Sequence, residues 1–230
     1  MPKLSPIDII DSQDEFLVVY KPANMSFHDE GDIGNGLFNQ IKKTHAISEL
    51  YPIHRLDKMT SGLLIVAKTL AATQKFQTLF NQHKIEKYYL AISDKKPLKK
   101  QGLIKGDMKK SRRSAWKLLR TTENPATSQF SSYTISKGKS LYIIKPHSGK
   151  THQIRVALNS LGAPIVGDET YSGTPADRGY LHAYAIKFEL NGKSYEYEVL
   201  PREGELFITG FDILPETPWT NPWLLTWPKI

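Results

Sequence analysis

The chain has 230 residues, 40% of them hydrophobic and 23% charged; 31 Lys and Arg against 23 Asp and Glu leave a formal charge of +8. That length allows one substantial core or two small ones, and the selective basicity favours a polyanionic partner through phosphate contacts and counterion release. The absence of cysteine excludes disulfides, thiolate nucleophiles and thiolate metal sites, and with no bilayer-length apolar run and no signal-peptide core in Met1–Asp11, the expected location is cytoplasmic.

In chain order, Phe16–Tyr20 is a short apolar run that reads as a buried strand ended by Lys21-Pro22. Gly31–Gly36 reads as a loop, and Leu37, Phe38 and Ile41 share one side of a short helix. Leu63–Ala67 is a second apolar strand. The segment Thr69–His83 follows as a helix, with Phe76, Leu79 and Phe80 at helical spacing and Thr69 as N-cap. Tyr88–Ile92 reads as a strand. Residues 95–120 hold eleven Lys and Arg against the single acid Asp107, and Gly102 and Gly106 interrupt any long helix, so a solvated loop or hairpin is expected. Phe130–Lys145 reads as two strands meeting at Lys137-Gly138-Lys139. Thr151–Leu161 reads as a helix burying Ile154, Ala157, Leu158 and Leu161, with His152, Arg155 and Asn159 off that face and Gly162 as its C′ residue. Ala183–Leu190 and Lys193–Leu200 flank Asn191-Gly192, a strong hairpin signal. Strands dominate and helices are few, which predicts one α+β domain over residues 1–230, built on a mixed, mainly antiparallel sheet. Residues 203–230, with Trp219, Trp223 and Trp227, read as an irregular strap packed on the core.

Two polar constellations could carry chemistry. His54-Arg55-Leu56-Asp57-Lys58-Met59-Thr60-Ser61-Gly62 sets a carboxylate among basic groups and hydroxyls just before a buried strand, a position from which a loop presents side chains to a substrate. An Asp capping a turn beside surface ion pairs would look the same. Lys145–Arg155 runs from a strand end through a Gly turn into a helix start, whose free N–H groups suit an anion; here too capping and an exposed Arg are the plain alternative. Spacing alone does not pair Arg155 with Asp57. His54, Asp57, His147, His152, Asp168 and His182 form no recognised zinc spacing, so no metal is expected.

The stretch HRLDKMTSGLLIVAK at 54–68 closely resembles the signature of the RluA-like, large-ribosomal-subunit type of pseudouridine synthase. Phe16–His28, Glu86–Ile92, His147–Tyr171 and Leu181-His182-Ala183 resemble further blocks of that family, in its order, so the likeness spans about residues 12–200. The resemblance implies the pseudouridine synthase catalytic fold. It implies Asp57 as the catalytic aspartate, Arg55 as an arginine that helps extrude the target base, Tyr89 as the tyrosine beside that base, and Arg155 as the basic partner of the aspartate. Tyr88 points the other way by strand alternation. Where the family usually has Thr-Gly-Arg this chain has Ser148-Gly149-Lys150, and Asn24 stands at the glycine of the Lys-Pro loop, where asparagine can still adopt the left-handed region.

The activity so implied transfers uracil from an N1 to a C5 glycosidic bond and calls for no cofactor. Asp57 must be ionised for it, either to attack covalently or to abstract the C2′ proton. The expected partner is structured RNA, ribosomal or transfer, with an accessible uridine that leaves its stack. The RNA grip is expected from His54, Lys21, Thr60, Lys150 and His152 near the site and from Lys109, Arg112 and Arg113 in the basic stretch, since no separate S4-type RNA-binding domain is expected. A monomer without an obligate protein partner is expected. The alternatives are a catalytically silent RNA-binding protein on the same fold and, more distantly, a hydrolase using Asp57 and His54.

Overall fold

The computed structural model describes residues 7–27, 29, 36–112, 114–211 and 221–229. Strand β1 (Ile9–Ser12) pairs with β2 (Phe16–Lys21), and helix α1 (Leu37–His45) follows. After β3 (Tyr51–Pro52) and β4 (Ser61–Ala67) comes α2 (Leu70–Asn81), capped by the Thr69 hydroxyl, which accepts the Ala72 N–H. Next are β5 (Glu86–Ser93), β6 (Gln101–Gly106), β7 (Met108–Lys110), β8 (Trp116–Leu118), β9 (Ala126–Ser136), β10 (Lys139–Pro146) and α3 (Gln153–Ser160). The chain continues through β11 (Leu181–Leu190), β12 (Lys193–Glu198) and α4 (Glu205–Phe211).

Ten strands make one sheet in the order β1-β2-β4-β11-β5-β10-β9-β6, with β3 on β4 and β12 on β11; β7 and β8 form a separate hairpin. Its ladders are antiparallel apart from β4 with β11, which run parallel at Ser61–His182 and Gly62–Ala183. The expected mixed sheet of an α+β fold is therefore observed.

Strand alternation distributes the core. Leu17, Val19, Leu64 and Val66 pack with Leu37 and Ile41 of α1 on one face, while Phe16, Val18, Leu63 and Ile65 meet Phe76 of α2 on the other. This is why β2 and β4 are apolar along their whole length. The larger core lies under β5, β9, β10 and α3. Helix α3 ends with the Ala163 N–H on the Leu158 carbonyl and the Gly162 N–H on Asn159, satisfying its last carbonyls. Asn191 and Gly192 both have positive φ, as a two-residue turn between β11 and β12 requires.

Three expectations need correction or limits. Part of the basic stretch is not loop or hairpin, because β6 adds to the main sheet alongside β9. The segment 203–230 is not irregular throughout: it opens with α4, whose Phe207 is buried against Tyr180 at 5.1 Å. The described residues 221–229 lay Trp223 and Trp227 on Tyr88, while Trp219, His28 and Gly31–Asn35 lie outside the described residues.

Candidate active site

Asp57 sits on a tight turn between β3 and β4, closed by the Thr60 N–H on the Asp57 carbonyl at 3.0 Å. The turn is anchored where β4 enters the sheet. At Gly62 φ is +112°, and a Cβ there would lie 2.2 Å from the Ala183 carbonyl oxygen, so only glycine lets β11 approach the base of this loop. Beneath the turn, the Lys21 ammonium donates to the carbonyls of Thr60 (2.7 Å), Pro22 (3.0 Å) and Lys58 (3.1 Å). Lys21 is fully buried, and burial pushes its amine down to about 7.

Arg155 reaches this turn from the first turn of α3. Its Nη1 donates to Asp57 Oδ2 at 3.2 Å, while Nε and Nη2 donate to the two carboxylate oxygens of Asp168 at 2.7 and 2.8 Å. Burial works against the guanidinium charge, but the hydrogen bonds and charge of Asp168, and then Asp57, outweigh it and raise its pKa. Asp168 is held by the turn at Gly167, where φ is +78° and a Cβ would collide with the Arg178 carbonyl.

His152 precedes α3 in the left-handed conformation, with φ of 57°. Its Nδ1 lies 2.9 Å from the Tyr171 hydroxyl, and that hydroxyl accepts the Trp116 N–H at 2.9 Å. Nε2 of the same ring faces Asp57 Oδ2 at 3.9 Å. Burial lowers the His152 pKa more than Asp57 raises it, so the ring is neutral near pH 7 and this contact is not an ion pair. Through Tyr171, the backbone of the β7–β8 hairpin is tied to the site.

Tyr89 lines the same cleft from β5, half-buried, and Tyr88 points to the opposite face with its hydroxyl on Glu86 at 2.5 Å. Burial, and secondarily the charge of Asp57, push the Tyr89 phenol upward, so it stays protonated at neutral pH. The cleft has a volume of about 910 Å³, and a second depression of about 560 Å³ shares Arg55, Asp57, His152 and Arg155 with it. Asp57 thus stands at the junction of two openings, beside an aromatic ring and a fixed cation.

The residues expected to act divide accordingly. Asp57, Tyr89 and Arg155 converge, and Arg55 lies exposed at the rim of both depressions. Arg155 is not the exposed residue a capping role would give; it is 6% accessible. Lys150 and His152 line the cleft, and Lys109 and Arg112 are exposed on the hairpin side. Lys21 is corrected: it is fully buried and absent from the lining of either depression, so it shapes the Asp57 turn rather than meeting an RNA backbone, while Thr60 is 2% exposed at the wall of the cleft and its carbonyl and N–H are spent on that turn. His54 is corrected as well. Its Nε2 accepts the Ile65 N–H at 3.0 Å and burial pushes it down to about 3, so it carries no charge to RNA and is not free to act as a hydrolase base. Arg113 lies outside the described residues. Asp168 and Tyr171 are functional neighbours not expected from the sequence; the Gly-Asp-x-x-Tyr spacing at 167–171 is the signal that marks both.

Among the described residues there is no cluster of His, Asp and Glu suited to a metal ion. Nor is any of their helices long and apolar enough to cross a membrane.

The profile of the RNA pseudouridylate synthase family matches residues 15–160. The chain belongs to this family. A Haemophilus influenzae relative, called an uncharacterized RNA pseudouridine synthase, is 42% identical over 204 residues, spanning 88% of this chain and 91% of its own. A Rickettsia bellii relative named ribosomal large subunit pseudouridine synthase C is 29% identical over 205 residues, spanning 86% of this chain and 68% of its own. Among solved structures, human RNA pseudouridylate synthase domain containing 1 is similar with a TM-score of 0.72 at 24% identity over 86% of each chain, a likeness of fold. The protein is an RNA pseudouridine synthase, an isomerase, as the motif at 54–68 implied.

Proposed function

We propose that this pseudouridine synthase acts through Asp57 on a uridine extruded from structured RNA, with Tyr89 beside the uracil, Arg155 fixing the carboxylate and Arg55 at the mouth. The observation that carries this reading is the Asp57 carboxylate held 3.2 Å from a buried arginine, facing a cleft that Tyr89 lines. The reaction breaks N1–C1′, turns the uracil, joins C5 to C1′, moves the C5 proton off carbon and leaves a proton on N1. A fixed carboxylate can begin it by attack on C1′ or by taking the C2′ proton; deuterium at C2′ gives a primary isotope effect only in the second case. Arg155 keeps the carboxylate aimed in a partly desolvated site, where charge interactions are stronger than in water.

The substrate we infer is large-subunit ribosomal RNA, in keeping with the name of the rickettsial relative. A loop uridine is the target class, because extrusion costs a few kcal/mol and least where stacking is already weak. The enzyme is read as a cytoplasmic monomer whose basic hairpin supplies much of the RNA grip. Mapping pseudouridine across cellular RNA with and without the gene tests the assignment. One or a few missing large-subunit positions are expected; an unchanged ribosomal map with a lost transfer RNA site would overturn the choice of substrate.

A further inference from the structure

Lys87 has no role in the site so far, yet its amine is one of the cations lining the cleft. On β5 it shares a face with Tyr89, two residues and about 7 Å along the strand. Its Nζ lies over the Phe80 ring, 5.2 Å from the centroid, and a Cβ on Gly149 would lie 3.9 Å from that nitrogen. Among the described residues no carboxylate pairs with it. The adjacent Glu86 is engaged by Lys145 and by Tyr88, both at 2.5 Å. Burial, with no neighbouring acid to offset it, pushes the Lys87 amine down to about 8. Lys87 is half-buried; an ammonium partly withdrawn from water without a counter-charge is disfavoured, and an anionic ligand relieves that cost. On the far side of Gly149, the Lys150 amine donates to the amide oxygen of Asn124 at 2.8 Å, and the Asp107 carboxylate lies within charge range of it. The acids near this rim are Glu123, which is exposed, and Asp107, whose carboxylate accepts the Glu123 and Asn124 N–H groups.

We propose that Lys87, with Lys150 at the rim, holds a phosphodiester of the RNA strand flanking the uridine that lies against Tyr89. The site takes a singly charged backbone phosphate, and it reads the path of the strand rather than a base. The inference rests on the proposed placement of uridine beside Tyr89. It adds a backbone register: the strand runs from Asp57 past Tyr89 towards Gly149, instead of leaving the cleft at Arg55.

The test uses Lys87→Met, which keeps the apolar stem on Phe80, and Lys87→Arg, which keeps the charge. The probe is transcribed large-subunit ribosomal RNA carrying tritium at uridine C5, with turnover and filter binding followed across a salt series. Lys87→Met is expected to raise KM about tenfold and to reduce the slope of log affinity against log salt by about 0.7 to 0.9. Its kcat should be unchanged and its melting temperature equal to or above that of wild type, and Lys87→Arg should keep KM within about threefold of wild type. Equal salt slopes and KM in wild type and Lys87→Met overturn the phosphate site. A loss confined to kcat overturns it too, because it would place Lys87 on the reacting base. The binding slope is read without turnover, so wild type that binds this RNA but releases no tritium counts against the substrate reading alone.

Discussion

The guanidinium of Arg155 is gripped by Asp168 through two hydrogen bonds, of 2.7 and 2.8 Å, and only its remaining nitrogen reaches Asp57, at 3.2 Å. The cation is thus fixed by a buried carboxylate outside the main cleft, and the carboxylate that lines the cleft keeps acceptor lone pairs for a substrate. An arginine held by Asp57 alone would move with it. Held from behind, it forms a rigid wall against which Asp57 is aimed.

Asp168→Asn removes the charge behind Arg155 at a position that is 1% exposed. Breaking one side of a buried pair typically destabilises by about 3 kcal/mol, and the freed arginine loses its aim. Urea unfolding should show that loss, and tritium release from RNA should fall at least about tenfold. A variant with wild-type stability and rate would show that Asp168 does not position the site.

Tyr89→Phe keeps the ring and loses the hydroxyl. If the phenol orients or relays a proton, kcat should fall about 100-fold while KM changes less than about threefold, because the ring still flanks the uracil. The pKa of this phenol is raised by burial and then by Asp57, so the wild-type profile should show no tyrosine limb below about pH 10. A rise in KM with kcat intact would restrict Tyr89 to binding.

His54 and His182 are both pushed down to about 3 by burial, against an ordinary 6.5. Between those values the unfolded chain binds protons that the folded chain refuses. Their contribution to stability is complete above about pH 6.5 and lost progressively as pH falls towards 3, at roughly 2 kcal/mol per histidine by pH 5. Urea unfolding at pH 7 and pH 5 measures the slope. His54→Gln, whose amide oxygen can still accept the Ile65 N–H, should flatten about half of it; an unaltered slope would mean that His54 is protonated in the fold.

The β7–β8 hairpin carries Lys109 and Arg112 exposed, and its Trp116 N–H is joined to the site through Tyr171. Replacing both cations with alanine should lower the salt slope of RNA binding by about 1.5 and raise KM, with kcat unchanged. A normal slope would take the hairpin out of the RNA path.

Features set by neighbours in sequence were legible: the Thr69 cap, the Asn191-Gly192 turn, the apolar runs of β2 and β4, and the burial of Ile154, Ala157 and Leu158 in α3, whose buried side extends further, to Gln153, Arg155 and Val156. The motif around Asp57 was legible as a resemblance, but its geometry was not. Lys21 looked like a surface cation because it precedes a proline at a strand end; it is buried because the Asp57 turn, 37 residues later, folds its carbonyls over the amine. Asp168 is 13 residues from Arg155 and separated from it by the helix end, so only the fold shows that it faces the guanidinium. The parallel meeting of β4 and β11 joins residues about 120 apart through a glycine whose need for positive φ is invisible in the chain. Each was missed because a long-range contact, rather than local propensity, decided the environment.

We propose that the Asp57 carboxylate starts the reaction while its neighbours position it and the RNA. Asp57→Asn keeps the shape of the side chain and removes its charge. On ribosomal RNA tritiated at uridine C5, wild type should release tritium and Asp57→Asn essentially none, with RNA affinity within about threefold of wild type. Tritium release by both proteins at similar rates would contradict the assignment.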